Sequence, residues 1–194
     1  MLLSEIELYP LSKSKKITGS RRLVREKVLQ ILVAFEVSGS DLDFLFTNIF
    51  YREYTFDPAN PPQGVLLKQE QIIELEADIP ILWKEDNINF ARSLINASIE
   101  LKDFTINLIK EEVRHWEIER IALIDRILIN MALAEFIYFQ EIPEKVTINE
   151  IIEISKNYST DKSNIFINGL LDNFRKKLKE QGKIKKTGKG LIEK

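Results

Sequence analysis

The stretch EIPEKVTINEIIEISKNYSTDKSNIFINGLLDNF, residues 141–174, decides the fold of this chain. Thr147 and Glu150 have the spacing of a capping box, in which a hydroxyl and a carboxylate each bind a backbone N–H at a helix start. We therefore expect a helix to begin near Ile148. The small polar residues of 157–163 favour a turn. A second helix then carries an apolar stripe at helical spacing, and Gly169 inside it suggests that another backbone comes close.

These residues resemble the C-terminal signature of the NusB family of bacterial transcription antitermination factors. The family pattern reads approximately IP-x-x-V-x-INEA-(I/V)-ELAK, a polar turn, and FVNG-(V/I)-LD. The matching residues are Ile142, Pro143, Val146, Ile148, Asn149, Glu150, Glu153, Phe166, Asn168, Gly169, Leu171 and Asp172. The resemblance implies an all-α fold of two packed helical bundles of about three helices each, with flexible basic termini.

The composition sets limits on the class of protein. A chain of 194 residues can form one domain or two small subdomains with a sizeable core. The absence of cysteine excludes disulfides, thiolate metal sites and cysteine nucleophiles. No apolar run approaches the roughly 20 residues that cross a membrane, and the N-terminus has no signal-peptide pattern. We expect a cytoplasmic protein with no membrane partner.

Charge is strongly segregated along the chain. Residues 12–27 carry a net charge of +6 and residues 175–194 carry +7, whereas residues 28–174 carry −13. This asymmetry indicates a polyanion at the two ends and a basic protein partner for the acidic body. For the C-terminal end alone, a lysine-rich segment that only aids solubility is the alternative.

The patterning predicts four segments. Residues 1–19 form a flexible N-terminal arm, and residues 20–85 form an N-terminal helical bundle with an irregular connector. Residues 86–179 form a C-terminal helical bundle. Residues 180–194 form a basic tail, flexible because of its lysines and glycines, that could hold RNA by charge alone.

Helix boundaries follow from caps and breakers. Ser20 is a predicted N-cap, and the first helix ends near Gly39. A second helix is predicted over 41–51, with Leu42, Phe44, Leu45 and Ile49 facing inward, and residues 65–75 have a helical pattern. One long helix is expected from Asp86 towards Trp116. The next, from Glu117 to Phe139, is apolar over much of its circumference and should be central.

Three arginines, Arg21, Arg22 and Arg25, lie in the first turns of the first helix. Cations there oppose the helix dipole at a cost of a few tenths of a kcal/mol each, whereas arginine forks suit phosphate. The segment RRLVREKVLQILVAFE is similar to the family's arginine-rich opening, which contributes to binding boxA-type RNA. The resemblance assigns that role to the three arginines. A solvated charged face is the alternative.

The central segment RIALIDRILINMALAEF also resembles the family, through Arg120, Asp125, Arg126, Ala132 and Glu135. Two positions depart from the family pattern, since Asn130 stands where arginine is common and Ala134 where tyrosine is common. These departures affect the polar contacts of those side chains, and not the fold.

The polar turn is the second candidate site. Lys162, Ser163 and Asn164 lie at the start of the last helix, whose N-terminus can donate hydrogen bonds to phosphate. Phe166 could stack on an unpaired base, a contact worth about 1–3 kcal/mol. Packing of Phe166 in the core fits its position equally well.

No catalytic pattern is visible. His115 is the single histidine, and without cysteine it gives no zinc constellation. The carboxylates at Glu111–Glu112 and Glu150/Glu153 are typical of solvated helix faces and a cap, and no glycine-rich phosphate loop is present. We expect no enzyme, metal or cofactor. A related helical domain precedes some RNA methyltransferases as an N-terminal extension, but we expect no such enzyme here, because the sequence shows no methyl-donor-binding domain.

Two hypotheses remain for the function. By resemblance, the chain is an RNA-binding transcription antitermination factor that pairs with NusE, a small-subunit ribosomal protein. It then holds boxA in ribosomal RNA transcripts within the antitermination complex of RNA polymerase. The alternative is a non-enzymatic protein-interaction module of transcription or ribosome assembly without specific RNA binding. Self-association as a homodimer is left open.

Overall fold

The computed structural model describes residues 16–51, 81–113 and 118–191. These residues form an all-α fold, as predicted. Its helices are α1 (Arg21–Ser38), α2 (Leu42–Phe46), α3 (Glu85–Glu100), α4 (Lys102–Glu112), α5 (Leu123–Tyr138), α6 (Glu144–Tyr158) and α7 (Ser163–Glu180). A π-helical turn (Thr47–Tyr51) extends α2, and 3-10 turns cover Ile118–Arg120 and Gly188–Leu191. None of the helices in the described ranges is long and apolar enough to cross a membrane.

Helix α5 is the centre of the molecule, as its apolar circumference predicts. It packs against α1, α3, α4, α6 and α7. An unbroken run from Met131 to Phe136 is fully buried on it. The helix begins at Leu123, because the backbone of Ala122 is not helical (φ −52°, ψ 139°) and a 3-10 turn precedes it. Glu117, its predicted start, lies outside the described residues.

Helix α1 has the predicted boundaries. The Ser20 hydroxyl accepts a hydrogen bond from the Leu23 N–H at 3.2 Å, as an N-cap does. Gly39 ends the helix in the left-handed region, with φ of 66°, where glycine is unstrained. Val24 and Val28 are fully buried on the face that contacts α3 and α5.

The short helix over 41–51 also forms, but one inward residue was predicted wrongly. Phe44 is 53% exposed, whereas Phe46 and Phe50 are buried and stack with ring centroids 4.4 Å apart. These two phenylalanines are four positions apart and therefore share one helical face. Leu45 is buried as expected, and Leu42 and Ile49 are half-buried.

The single long helix predicted from Asp86 is in fact two helices, α3 and α4. They meet at Leu101, whose buried side chain sits at the bend. The bend lets α4 pack against both α5 and α7. The N-cap is Lys84, so Asp86 lies in the first turn, where its charge favours the helix dipole.

The capping box predicted at Thr147 and Glu150 is wrong. Helix α6 begins at Glu144, after Pro143, so both residues lie inside it. Thr147 is buried and donates to Glu135 on α5, and Glu150 accepts from Arg22 on α1. Both side chains therefore bind residues of other helices, and neither caps its own helix.

Gly169 does not mark a close backbone approach. A Cβ at this position would meet nothing within 4 Å apart from the helix itself. The predictions for residues 65–75, His115 and Trp116 lie outside the described residues.

Both ends of the described chain make specific contacts, and residues 1–15 of the predicted arm lie outside the described residues. Strand β1 (Ile17–Thr18) pairs in parallel with β2 (Ile81–Leu82), and the Asn87 amide donates to the Gly19 carbonyl at 2.7 Å. At the other end, residues 183–191 pack on the C-terminal end of α5. The Lys186 ammonium donates to the carbonyls of Glu135 and Phe139 at 2.9 and 2.8 Å, and these carbonyls also accept hydrogen bonds from the backbone N–H groups of Phe139 and Ile142.

Candidate nucleic-acid interface

Arg21 lies exposed at the N-terminus of α1. Its Nη1 donates to the Asp86 carbonyl at 2.9 Å, and its guanidinium carbon lies 4.4 Å from the centroid of the Phe90 ring. Partial burial lowers its pKa, but an arginine remains charged at physiological pH. The two contacts hold a cation in one orientation at the protein surface.

Arg22, the next residue, is bound to a carboxylate and yet accessible. Its Nε and Nη2 donate to the two Glu150 oxygens at 2.9 and 2.8 Å, and 48% of its side chain is exposed. This hydrogen-bonded pairing raises the pKa of Arg22 and lowers that of Glu150. A carboxylate and a phosphate accept the same two-pronged guanidinium contact. Arg22 therefore presents two N–H donors in a geometry that suits phosphate, and Glu150 would compete with a phosphate for these donors.

Arg25 differs from the expectation, because it points into the core. Only 3% of its side chain is exposed, and its Nε and Nη2 donate to Glu135 Oε1 and Oε2 at 2.5 and 2.9 Å. Burial opposes its charge, but the Glu135 carboxylate outweighs burial and raises the pKa of Arg25. Thr147 donates to the same carboxylate at 2.8 Å. Arg25 thus supports the surface from beneath and does not contact a ligand on it.

The turn between α6 and α7 is fixed by a buried carboxylate, Asp125 on α5. Its two oxygens accept hydrogen bonds from the hydroxyls of Ser159 and Ser163 at 2.5 and 2.7 Å. Ser163 is 3% exposed, so its side chain faces Asp125 and not solvent. Lys162 is exposed, and Asn164 is half-buried with its Oδ1 accepting from the Ile165 N–H.

The backbone at the start of α7 is also largely engaged. The N–H of Ser163 donates to the Thr160 carbonyl at 2.9 Å, and the N–H groups of Ile165 and Phe166 donate to the Lys162 carbonyl at 3.2 Å. The predicted phosphate contacts from this helix N-terminus would have to compete with these bonds. Charge from the Lys162 side chain does not face such competition.

Phe166 lies at the edge of the hydrophobic core. The ring packs against the hydrophobic core but remains half-buried. The neighbouring Ile165 is 72% exposed. The turn therefore presents a partly apolar surface beside Lys162, on which an unpaired base could stack.

Two side-chain contacts link α1 to α6. Glu150 near the start of α6 contacts Arg22, and Tyr158 at its end donates to Glu26 at 3.2 Å. The eight residues between these contacts span about 12 Å of helix. Side-chain contacts thus link α1 to α6 at two points, and the turn follows directly after Tyr158. Arg21, Arg22 and Lys162 are exposed, whereas Arg25 and the Ser163 hydroxyl are buried.

Four residues that shape this surface were not predicted to do so from the sequence: Phe90, Asp125, Glu135 and Glu150, the last of which was assigned to a cap. The resemblance matched the three carboxylates to family positions, which was a signal that they matter. It did not give their partners, because Glu135 and Glu150 bind arginines 110 and 128 positions away. Within the described ranges, no group of three or more His, Asp or Glu side chains is placed to hold a metal ion.

Comparison with known protein families gives one match that spans most of the chain. The model described as the NusB family matches residues 22–176. A Transcription antitermination protein NusB from Chloroherpeton thalassium is 35% identical over 175 residues, covering 90% of this chain and 70% of the relative. A protein of the same name from Salinibacter ruber is 33% identical over 174 residues, covering 90% of this chain and 92% of the relative.

Solved structures show the same fold. The structure of T. maritima NusB has a TM-score of 0.61 and 25% identity, covering 82% of this chain and 93% of that one. A chain from a crystal structure of the antitermination factors NusB and NusE in complex with dsRNA has a TM-score of 0.59 and 16% identity, covering 81% and 96%. At that identity the likeness concerns the fold alone.

Proposed function

The chain belongs to the NusB family, and from this we propose that it is an RNA-binding transcription antitermination factor. It binds boxA-type single-stranded RNA in ribosomal RNA transcripts together with NusE, as part of the antitermination complex of RNA polymerase. Both curated relatives carry the name transcription antitermination protein. The role is that of a binding protein and not of an enzyme.

The observation that carries the proposal is the arrangement of Arg21 and Arg22. Both guanidinium groups are oriented at the surface by contacts with other helices, Arg21 on Phe90 of α3 and Arg22 on Glu150 of α6. Ordered cations lose less conformational freedom when they bind than mobile ones do. The helix N-terminus beneath them adds its own positive potential. This combination favours a polyanion at the N-terminus of α1.

The remaining parts of the proposed site have different tasks. Lys162 supplies a further cation on the same side, and Phe166 supplies a half-buried ring for stacking. Arg25 acts through Glu135 by fixing α1 against α5, and Ser163 acts through Asp125 by fixing the turn. The acidic body over 28–174 favours a basic ribosomal protein such as NusE as partner. This chain has the fold of a chain in the solved complex of NusB and NusE with RNA, which supports NusE as the partner.

The test is fluorescence anisotropy of a labelled boxA-type single strand and a scrambled strand, with and without NusE, across a salt series. The native protein should prefer the boxA-type strand, and NusE should tighten binding. An Arg21→Ala/Arg22→Ala variant should lose affinity, and its salt slope should fall by about 1.4, since each phosphate contact on a single strand contributes about 0.7. A Lys102→Ala/Lys110→Ala variant removes two exposed cations from α4 and is the matched control. Equal binding of both strands by the native protein would refute the proposal.

One observation favours the alternative of a protein-interaction module. Each of the three arginines already has an acceptor within the protein, namely the Asp86 carbonyl, Glu150 or Glu135. If these contacts are only structural, the Arg21→Ala/Arg22→Ala variant would bind NusE normally and the native protein would show no RNA preference. Calorimetric titration of NusE into both proteins, beside the anisotropy series, separates the two functions.

A further inference from the structure

A second basic surface lies where the start of α6, the last turns of α7 and the C-terminal segment 183–191 meet. It surrounds a cavity of about 620 Å³, which lies within the usual size range of ligand pockets. We refer to it as the C-terminal basic pocket. Its charged lining residues are Glu144, Lys145, Arg175, Lys179, Lys185 and Lys186. Five cations thus face one carboxylate.

The C-terminal segment that forms one wall is fixed to the body of the protein. Lys186 donates to two carbonyls at the end of α5, and the Thr187 N–H donates to the Gln140 carbonyl at 3.0 Å. Gly190 lies so close that a Cβ there would be 1.9 Å from the Gln140 oxygen. These contacts fix the position of the backbone at Lys185. Its charge is therefore part of a shaped surface.

The positive charge of the pocket is only partly compensated. Glu144 is 7% exposed and is shared by Lys179 at 2.9 Å and Arg175 at 3.8 Å, while Arg175 also lies 3.7 Å from Asp172. Lys145 and Lys185 are exposed. An excess of cations around a cavity with a low-dielectric wall concentrates positive potential there. A ligand with several negative charges fits this chemistry.

The pocket lies across α6 from the arginine surface. Lys145 and Glu150, the partner of Arg22, are five residues apart, which is about 7.5 Å along the helix and about 140° around it. They flank the exposed face of α6, which carries Val146 and Asn149. A strand that leaves Arg22 and crosses this face arrives at Lys145 and the pocket.

We infer that the C-terminal basic pocket binds backbone phosphates of the same RNA strand, beyond the segment held at Arg21 and Arg22. The inference rests on the proposed function and extends its site across α6. Lysine contacts to phosphate position a strand without reading its bases. The pocket therefore adds affinity in proportion to the length of flanking RNA, and not to its sequence.

The test compares two RNAs, the boxA-type element alone and the same element extended at both ends by unstructured nucleotides. The variant Lys145→Ala/Lys185→Ala removes the two exposed cations and leaves Lys186, Arg175 and Lys179 in place, because these hold the segment and Glu144. Its affinity for the extended RNA should fall by about three- to tenfold and its salt slope by about 1.4, with the short RNA unaffected. The Lys102→Ala/Lys110→Ala control should bind both RNAs like the native protein.

A second measurement uses the native protein and does not depend on how a variant folds. Lysine acetylation followed by mass spectrometry should show that the extended RNA protects Lys145 and Lys185, whereas the short RNA does not.

Equal losses on both RNAs, unchanged binding of the extended RNA or unprotected lysines would overturn the inference, while a boxA preference of the native protein would leave the proposed function standing. If the native protein showed no preference for the boxA-type RNA, both the inference and the proposed function would fail. Calorimetric binding of ATP that the variant abolishes, without an effect on RNA, would assign the pocket to a small phosphate ligand instead.

Discussion

Arg25 on α1 and Glu135 on α5 form a two-pronged ion pair inside the core, with 3% and 0% of their side chains exposed. Thr147 on α6 donates to the same carboxylate. The Glu135 carboxylate on α5 therefore links α1, which carries Arg21 and Arg22, to α6, which carries Glu150. The geometry of the proposed RNA surface depends on a charge pair that no ligand reaches.

Replacing Arg25 by methionine should lower the free energy of unfolding by about 3–5 kcal/mol, because Glu135 would be left buried without its partner. Urea denaturation followed by circular dichroism measures the change. Adding Glu135→Leu to Arg25→Met should recover most of the loss, since an apolar pair of similar volume carries no desolvation cost. Arg22→Met, at an exposed position, should lower the free energy of unfolding by less than about 1 kcal/mol. Equal losses for Arg25→Met and Arg22→Met would contradict this assignment.

Glu150→Gln should tighten RNA binding. The change removes the carboxylate that competes with phosphate for the Arg22 fork, and it also removes a negative charge beside the strand. Anisotropy with the boxA-type RNA measures the gain, and a double-mutant cycle identifies its source. In an Arg22→Ala background the gain should shrink, because the fork is absent. A gain of the same size in both backgrounds would show that Glu150 acts only through long-range charge.

The same pair gives a pH dependence of stability with a defined sign. The hydrogen bond from Arg22 lowers the pKa of Glu150 in the folded protein, so the pair stabilises fully above the unfolded-state value of about 4.3. The contribution disappears as the pH falls through the lower folded-state value. The native protein should exceed Glu150→Gln in stability by less than about 1 kcal/mol at pH 7. Urea midpoints should converge on acidification; divergence would reverse the assigned sign.

Asp125→Ala should loosen the turn between α6 and α7. Ser159 and Ser163 would lose the buried acceptor of their hydroxyls, at a cost of about 1–3 kcal/mol. Limited trypsin digestion should then cut faster after Lys162, which is exposed in this turn. Asp161→Ala, an exposed change in the same turn, is the control. Similar cleavage rates in the two variants would show that Asp125 does not hold the turn.

Two glycine substitutions should act in opposite directions. Gly169→Ala should raise the free energy of unfolding by about 0.5–1 kcal/mol, because alanine favours a helix interior and its Cβ meets nothing. Gly190→Ala should lower it, because the added carbon would overlap the Gln140 carbonyl. Thermal unfolding distinguishes them. A stabilised Gly169→Ala protein that binds RNA poorly would show that the strand needs this glycine.

Local signals in the sequence predicted the local features well. Ser20 and Gly39 cap the two ends of α1 as predicted. The apolar circumference predicted for Glu117 to Phe139 identified the central helix, which the structure has at Leu123–Tyr138. The capping box failed for a physical reason: Thr147 and Glu150 have side chains that can bind either their own helix or another, and tertiary partners took them. Arg25 and Ser163 were predicted on the surface for the same reason, because no local pattern shows a carboxylate arriving from α5.

The C-terminal segment adds an order of events to this structure. A ribosome delivers α1, α5 and α6 to solvent before residues 183–191, so the central helix leaves the ribosome before its contacts with Lys186 can form. Lys186 reaches the carbonyls of Glu135 and Phe139 only after residues 183–191 have also emerged. The surface around Arg21 and Arg22 can thus form in the nascent protein before residues 183–191 complete the C-terminal basic pocket. Completion of the C-terminal basic pocket therefore follows the folding of the helices that carry Arg21, Arg22 and Glu150.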